Sequence, residues 1–353
     1  MAKGIYIGST TNRAGKSLLA FSLGLLLRKT GLSVGYMKPV GSIPQKKDDL
    51  LGDADAMVVQ ELLGQDAPPD VLSPVMLPDN PRFASLRETP EEALLRIREA
   101  YERISRDKDV CIVSGTGAFP WAGYGIGADA SAVLGRLGVK LLLVERFRKK
   151  INQDRLLWLK DRLGPDLIGV VLNDVPVEEL KFVSEVLRPW LQERGVHVFG
   201  ILGHEPALES IRVIDLAHGL KGRIVAGNER ADSAVSSFFV GATQPDSFLL
   251  SMKGRSDCAV ILEGDRPDLQ LLALACDAVC VILSGNIAPI EMVRSKAEEK
   301  NTALIRARES SYFIARRLSV LMKSKKIRDL NQVRAGVRMI EGSLDIHGVL
   351  DRI

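Results

Sequence analysis

The sequence predicts two α/β domains, the first built on a mainly parallel, doubly wound sheet with helices on both faces. Three observations predict it. Apolar runs such as "DVCIVSG" at 109–115 and "KLLLVER" at 140–146 are nearly continuous rather than alternating, as strands buried on both faces must be. Helical segments separate these runs, the pattern of βα units. The chain has 353 residues, more than one domain of ordinary size.

In chain order, "GIYIGS" at 4–9 reads as a strand, and Ser17–Lys29 as a helix ended by Gly31. "SVGYMKP" at 33–39 is the next strand, stopped by Pro39. "TPEEALLRIREAYERI" at 89–104 carries a helix-start signature, with Thr89 as cap, Pro90 in the first turn and Glu92 three residues after the cap. After the strand at 109–115 come the helix "ADASAVLGRLG", the strand at 140–146, the strand "LIGVVLND", the helix "VEELKFVSEVLRPWLQERG" and the strand "HVFGIL".

The character changes after "HEPAL" at 204–208. A helix near 208–220 is followed by "GRIVAG", a loop through "GATQPDS", the strand in "CAVILEGDRPD", a helix to about Cys276, "AVCVILSGN", another helix and "TALIRA". This predicts a second, smaller α/β domain, with a boundary near 203–210. The last segment, "RAGVRMIEGSLDIHGVLDRI", is short and mixed and is expected to dock on the body.

Composition narrows the function classes. Hydrophobic residues make up 46% and charged residues 26%, and the formal net charge is +4, too small for this length to mark a nucleic-acid or anionic-membrane binder. The basic runs at 146–150 and 323–328 read as solvated ends. "LLAFSLGLLL" at 18–27 is too short to span a bilayer. No signal-peptide pattern precedes the first strand, so a cytoplasmic protein is expected. Cys111, Cys258, Cys276 and Cys280 lack zinc-site spacing and read as small buried hydrophobes. No histidine stands beside a nucleophile signature.

The informative stretch is "GSTTNRAGKS" at 8–17, directly after the first strand. A phosphate-binding loop reads G-x-x-x-x-G-K-[ST] between strand and helix. Gly15-Lys16-Ser17 supply its second half, and Thr10 stands where the first glycine would be. The chemistry needs backbone N–H groups in a concave nest at a helix N-terminus. It also needs a lysine for the terminal phosphates and a hydroxyl for magnesium, and Lys16 and Ser17 are of those types. Thr10, Thr11, Asn12, Arg13, Ala14, Gly15, Lys16, Ser17 and Leu18 are therefore the candidate nucleotide contacts. The alternative is a strand–turn–helix with a chance GKS; the flanking elements favour phosphate.

With "SVGYMKPVG" and "LLGDADAMVVQELLG", this loop resembles the P-loop family that includes dethiobiotin synthetase and cobyrinic acid a,c-diamide synthase. The resemblance implies a P-loop NTPase sheet, and ATP and Mg2+ as cofactors. It implies that a small polar residue is ordinary at Thr10. It makes Lys38, with Lys16, a candidate catalytic residue facing substrate or phosphate. It makes Asp53 and Asp55 candidate magnesium ligands with Ser17, the choice between them open. Asn173, after "LIGVVL", matches the place where the family often recognises the base, although Asn-Asp after a strand is also a common turn.

The second half resembles a DRTGG domain through "GDRPD" at 264–268 and "LSGNIAP" at 283–289, with "SGN" where "TGG" would stand. That module follows this type of P-loop domain in the regulatory part of long phosphate acetyltransferases. The resemblance covers nearly the whole chain and divides it into 1–205, 206–330 and a tail at 331–353. The acetyltransferase domain of those enzymes would lie beyond it. Asp265 and Arg266 could bind a ligand with Ser284–Asn286, or pair with each other.

The resemblance departs at Ser114, where the family's Walker B strand usually carries glutamate. A serine hydroxyl is a neutral, weaker magnesium ligand, and phosphoryl transfer depends mainly on electrostatic stabilisation. Asp129 or the 53/55 pair is a candidate to compensate. Gly115-Thr116-Gly117 makes a flexible turn at this strand's C-terminal end, where doubly wound sheets bind ligands; an ordinary tight turn fits the glycines equally well, and Gly115 and Thr116 join the nucleotide candidates. The expected function is a nucleotide-binding regulatory or sensor protein, a homodimer by analogy, whose second domain takes another ligand or a partner chain. The alternatives are an ATP-dependent carboxylate-activating ligase and a scaffold that binds no nucleotide.

Overall fold

A computed structural model describes residues 2–77, 89–148, 153–241, 244–253, 257–276, 278–323 and 330–353. The chain forms two compact units, residues 1–205 with 328–353, and residues 206–327.

The first unit contains β1 (Lys3–Gly8), α1 (Lys16–Lys29), β2 (Val34–Met37), α2 (Ala54–Leu62), α3 (Pro90–Ser105), β3 (Val110–Ser114), α4 (Ala130–Leu137), β4 (Lys140–Arg146), α5 (Gln153–Leu163), β5 (Leu167–Val175) and β6 (Val198–Gly203). The strands form one six-stranded sheet in the order β6-β5-β4-β1-β3-β2, every pair parallel. Both faces are buried, as the continuous apolar runs require. Tyr6, Cys111, Val113, Leu141 and Leu143 face a core that includes Ala93 and Ile97 of α3 and Val133 of α4, while Ile112 lies against α1 at Gly24. The start of α3 is a full capping box: Thr89 accepts from the Glu92 N–H while the Glu92 carboxylate accepts from the Thr89 N–H.

Three features depart from the sequence reading. A hairpin joins Pro44–Lys47 to Leu50–Asp53, with Asp48 and Asp49 both at positive φ, the backbone of a two-residue turn that matches strand twist. The helical run within 177–195 is not uniformly α-helical: a π turn, Val183–Leu187, precedes the α-helical Arg188–Glu193. Pro189 has no N–H for the carbonyl four residues back, so the ladder widens there. The segment after 328 is partly regular, an amphipathic α-helix, Leu330–Glu341, packed on α1. Lys29 pairs with Glu341 at 2.7 Å, and Gly200 bridges Leu344.

The second unit has a five-stranded sheet. From one edge its strands are Arg223–Ala226, Ala303–Arg306, Cys280–Ser284, Cys258–Glu263 and Ser237–Val240. The first pair is antiparallel and the rest are parallel. The edge strand Ser237–Val240 falls in a segment that the sequence reading passes over on the way to the loop. Cys111, Cys258 and Cys280 are buried free thiols and Cys276 is partly exposed; burial pushes the Cys111 thiol up to about 12. The basic runs lie partly outside the described residues, at 149–150 and 324–328. Among the described residues no helix is long and apolar enough to cross a membrane.

Candidate functional site: a phosphate loop at the centre of the sheet

The order β4-β1-β3 puts the C-terminal end of β1 where chain connections diverge to either side, the usual ligand crevice of such sheets. The segment from Ser9 to Gly15 leaves β1 there and enters α1. Arg13 has φ 59° and Gly15 has φ 106°, so the loop turns through left-handed conformations before the helix. α1 has no side-chain cap at Gly15. Its first N–H groups therefore lack an intrahelical partner and face the crevice end with the positive end of the helix dipole.

The Lys16 ammonium donates to the Ser9 hydroxyl and to the Gly117 carbonyl, both at 2.7 Å. Burial, with the nearby charge of Lys38, lowers its pKa to about 8. The buried Thr11 hydroxyl has no hydrogen-bond partner among the described residues. An uncapped helix start, a lysine and an orphaned hydroxyl in one loop are the donors that a phosphate chain needs, so the residues present fit a nucleotide. Asn12 and Arg13 are exposed, while Ala14 and Leu18 are buried under the loop.

Asn173, at the end of β5, donates from Nδ2 to the Ala14 carbonyl at 2.8 Å. One N–H of its amide is thus tied to the loop backbone. A Cβ on Gly15 would lie 2.3 Å from that nitrogen.

Lys38 and Asp53 form a buried ion pair, Nζ to Oδ1 2.8 Å. Asp53 Oδ1 also accepts from the N–H groups of Asp55 and Ala56, capping α2. Its Oδ2 accepts from Ser42 and Ile43. Burial alone would raise the Asp53 pKa, but the Lys38 charge and these hydrogen bonds outweigh it and hold the carboxyl below its ordinary value. Asp53, read from the sequence as a magnesium ligand, is thus occupied by five donors. Asp55 lies in the first turn of α2.

Ser114 is buried beside the neighbouring strand, and its hydroxyl partly offsets the burial that raises the pKa of the Tyr36 phenol. Gly115 packs on the Tyr6 ring, which a Cβ would meet at 2.7 Å. The Thr116 hydroxyl donates to the Val40 carbonyl. Of this turn, Gly117 is the residue that meets Lys16, whereas the sequence reading puts Gly115 and Thr116 among the nucleotide contacts. Asp129 caps α4 through the N–H groups of Ser131 and Ala132, so it does not replace the missing glutamate.

Two further groups escape the sequence reading. Glu145, near the end of β4, is only 6% exposed and accepts from the Thr10 hydroxyl. Arg155 of α5 donates to the Thr10 carbonyl at 3.1 Å. The one available signal was a carboxylate closing the apolar run of β4; Arg155 gave none.

In the second unit, Ser284 donates to Glu263 at 2.5 Å and accepts from Ser311 at 3.1 Å. Arg266 pairs with Asp268 at 2.7 Å, not with Asp265.

Comparison with known proteins matches residues 3–212 to an AAA domain family and residues 215–321 to the DRTGG domain. An ATP-dependent dethiobiotin synthetase of Methanococcus vannielii is 26% identical over 215 residues, covering 56% of this chain and 92% of that protein. A phosphate acetyltransferase of Nitratidesulfovibrio vulgaris is 23% identical, covering 84% of this chain and 44% of its own length. That of Pseudomonas aeruginosa is 24% identical over 96% of this chain and 50% of its own. The chain thus spans about half the length of the phosphate acetyltransferases it matches.

Proposed function

The chain belongs to the AAA domain family over residues 3–212, and from that premise we propose that its first unit binds ATP as a regulatory or sensor device rather than as an efficient catalyst. The observation that carries this reading is Ser114. A neutral, buried hydroxyl stands at the Walker B position, so the site lacks a carboxylate where phosphoryl transfer calls for one. Lys16, the N–H groups from Thr10 to Leu18 and the Thr11 hydroxyl would hold the phosphates. Ser17 and a carboxylate of the 53/55 pair would hold Mg2+, whose role is to neutralise phosphate charge. Asp53 would first have to release donors it now satisfies. Gly115, Thr116 and Asn173 would shape the loop's surroundings. The DRTGG unit would take a second ligand or a partner chain, and the protein would work as a homodimer in the cytoplasm.

A second reading is an ATP-dependent ligase that activates a carboxylate. The nearly full-length match to dethiobiotin synthetase and the closeness of Lys38 to Lys16 favour it. Calorimetric titration with ATP and Mg2+, followed by product analysis of the same sample, separates the readings. Binding with ATP intact supports the sensor. Accumulating ADP supports the ligase, and no binding overturns both.

A further inference from the structure

Thr10 occupies the place of the usual first glycine and is held at two of its atoms by two different elements. Its hydroxyl donates to Glu145 of β4, and its carbonyl accepts from Arg155 of α5 at 3.1 Å. We propose that Glu145 and Arg155 are positioning residues of the phosphate loop, clamping Thr10 so that the loop keeps its phosphate-receiving shape without that glycine. The proposal rests on the nucleotide-binding reading of the same loop.

A buried carboxylate at a strand end is costly unless it is compensated. Here Thr10 of the loop and Arg155, which also holds the Thr10 carbonyl, are among the compensating groups. Burial raises the Glu145 pKa, while the Thr10 hydrogen bonds and the charges of Arg155 and Arg148 oppose the rise. β4 lies beside β1 in register Gly8 to Leu143, so Glu145 stands level with residue 10, the point where the loop leaves the sheet. Glycine at that point could offer its carbonyl to Arg155 and its N–H to Glu145, but not the hydroxyl hydrogen bond. The side-chain contact of the clamp therefore depends on the residue that departs from the usual motif. Immediately beyond it, the Thr11 hydroxyl is left without a partner, as expected of a loop whose entry is fixed and whose interior awaits an acceptor.

The test uses Glu145→Ala, the near-isosteric Glu145→Gln, and Thr10→Val in the full chain. Two readouts are taken, amide hydrogen exchange of residues 10–16 without nucleotide, and ATP affinity. Glu145→Ala should speed exchange and weaken ATP binding by about tenfold, the loss of one buried charge-assisted hydrogen bond. Glu145→Gln keeps an acceptor for the Thr10 hydroxyl and should stay within about twofold of the parent. In the Thr10→Val protein, the Glu145→Ala change should have a clearly smaller effect than in the parent. Unchanged exchange in Glu145→Ala, equal damage from Gln and Ala, or additive effects with Thr10→Val would overturn the clamp. Should the Ala variant not fold, Thr10→Val decides alone, unchanged exchange counting against the proposal. A parent protein that binds no ATP would overturn the nucleotide reading, while the exchange data would still judge the clamp.

Discussion

The Asn173 amide and Gly15 are locked together: Nδ2 donates to the Ala14 carbonyl at 2.8 Å, and it sits 2.3 Å from where a Gly15 Cβ would stand. The backbone at Gly15 is also left-handed, φ 106°, a conformation in which only glycine is unstrained. Gly15→Ala should therefore lower stability by about 1–3 kcal/mol and abolish ATP binding. Adding Asn173→Ala removes the clash but not the strain, so the double variant should regain part of the stability. Urea unfolding and ATP titration check both, and a fully additive loss would refute the steric coupling.

Lys38 and Asp53 make a second testable pair. In Asp53→Ala the Lys38 cation is left buried without its partner, which costs about 3–5 kcal/mol. Asp53→Asn should cost less, because the amide oxygen can still accept from the N–H groups that cap α2. The folded-state pKa of Asp53 is depressed. Its stabilisation is therefore fully present above the unfolded carboxyl value and is lost as pH falls through the folded value. Urea midpoints measured from neutral pH into acid should fall more gently in Asp53→Asn than in the parent; identical acid limbs would rule out this contribution.

Ser114 separates a structural role from a ligand role. If its hydroxyl serves Tyr36, Ser114→Ala leaves a buried phenol without its partner and costs about 1–2 kcal/mol. ATP affinity with Mg2+ should not change. A loss of Mg2+-dependent affinity at unchanged stability would instead make Ser114 a magnesium ligand and weaken the sensor reading.

The parallel sheet was legible because Leu141–Val144 and its like are apolar without interruption, a pattern that only burial on both faces explains. The loop was legible because Gly15, Lys16 and Ser17 are chemically unusual together at a helix start. What escaped is set by contacts distant in sequence. Glu145 reaches Thr10 across 135 positions, and no local pattern announces it. Lys38 and Asp53 were each picked out, but their mutual pairing, which engages the carboxylate expected for magnesium, needs the fold. The hairpin that carries Asp53 turns on Asp48-Asp49, a weaker signal for left-handed backbone than Asn-Gly. The π turn follows from Pro189 only once the helix around it is known to continue.

The last prediction concerns the charge that meets the phosphates. Burial and Lys38 lower the Lys16 pKa to about 8. A bound phosphate chain favours the ammonium, so its pKa in the complex lies above that of the free protein. Binding above about pH 8 must then take up a proton, and affinity should fall by up to about tenfold per pH unit. Below that pH, Lys16 is already charged and affinity should be flat with respect to this group. The titration is best done in EDTA, so that magnesium hydration and ligand exchange do not enter. Lys16→Arg keeps its charge throughout this range and should bind with a flat profile, even if more weakly. A parent profile as flat as that of Lys16→Arg would mean that Lys16 takes up no proton on binding, which rules out a lowered pKa combined with a phosphate contact.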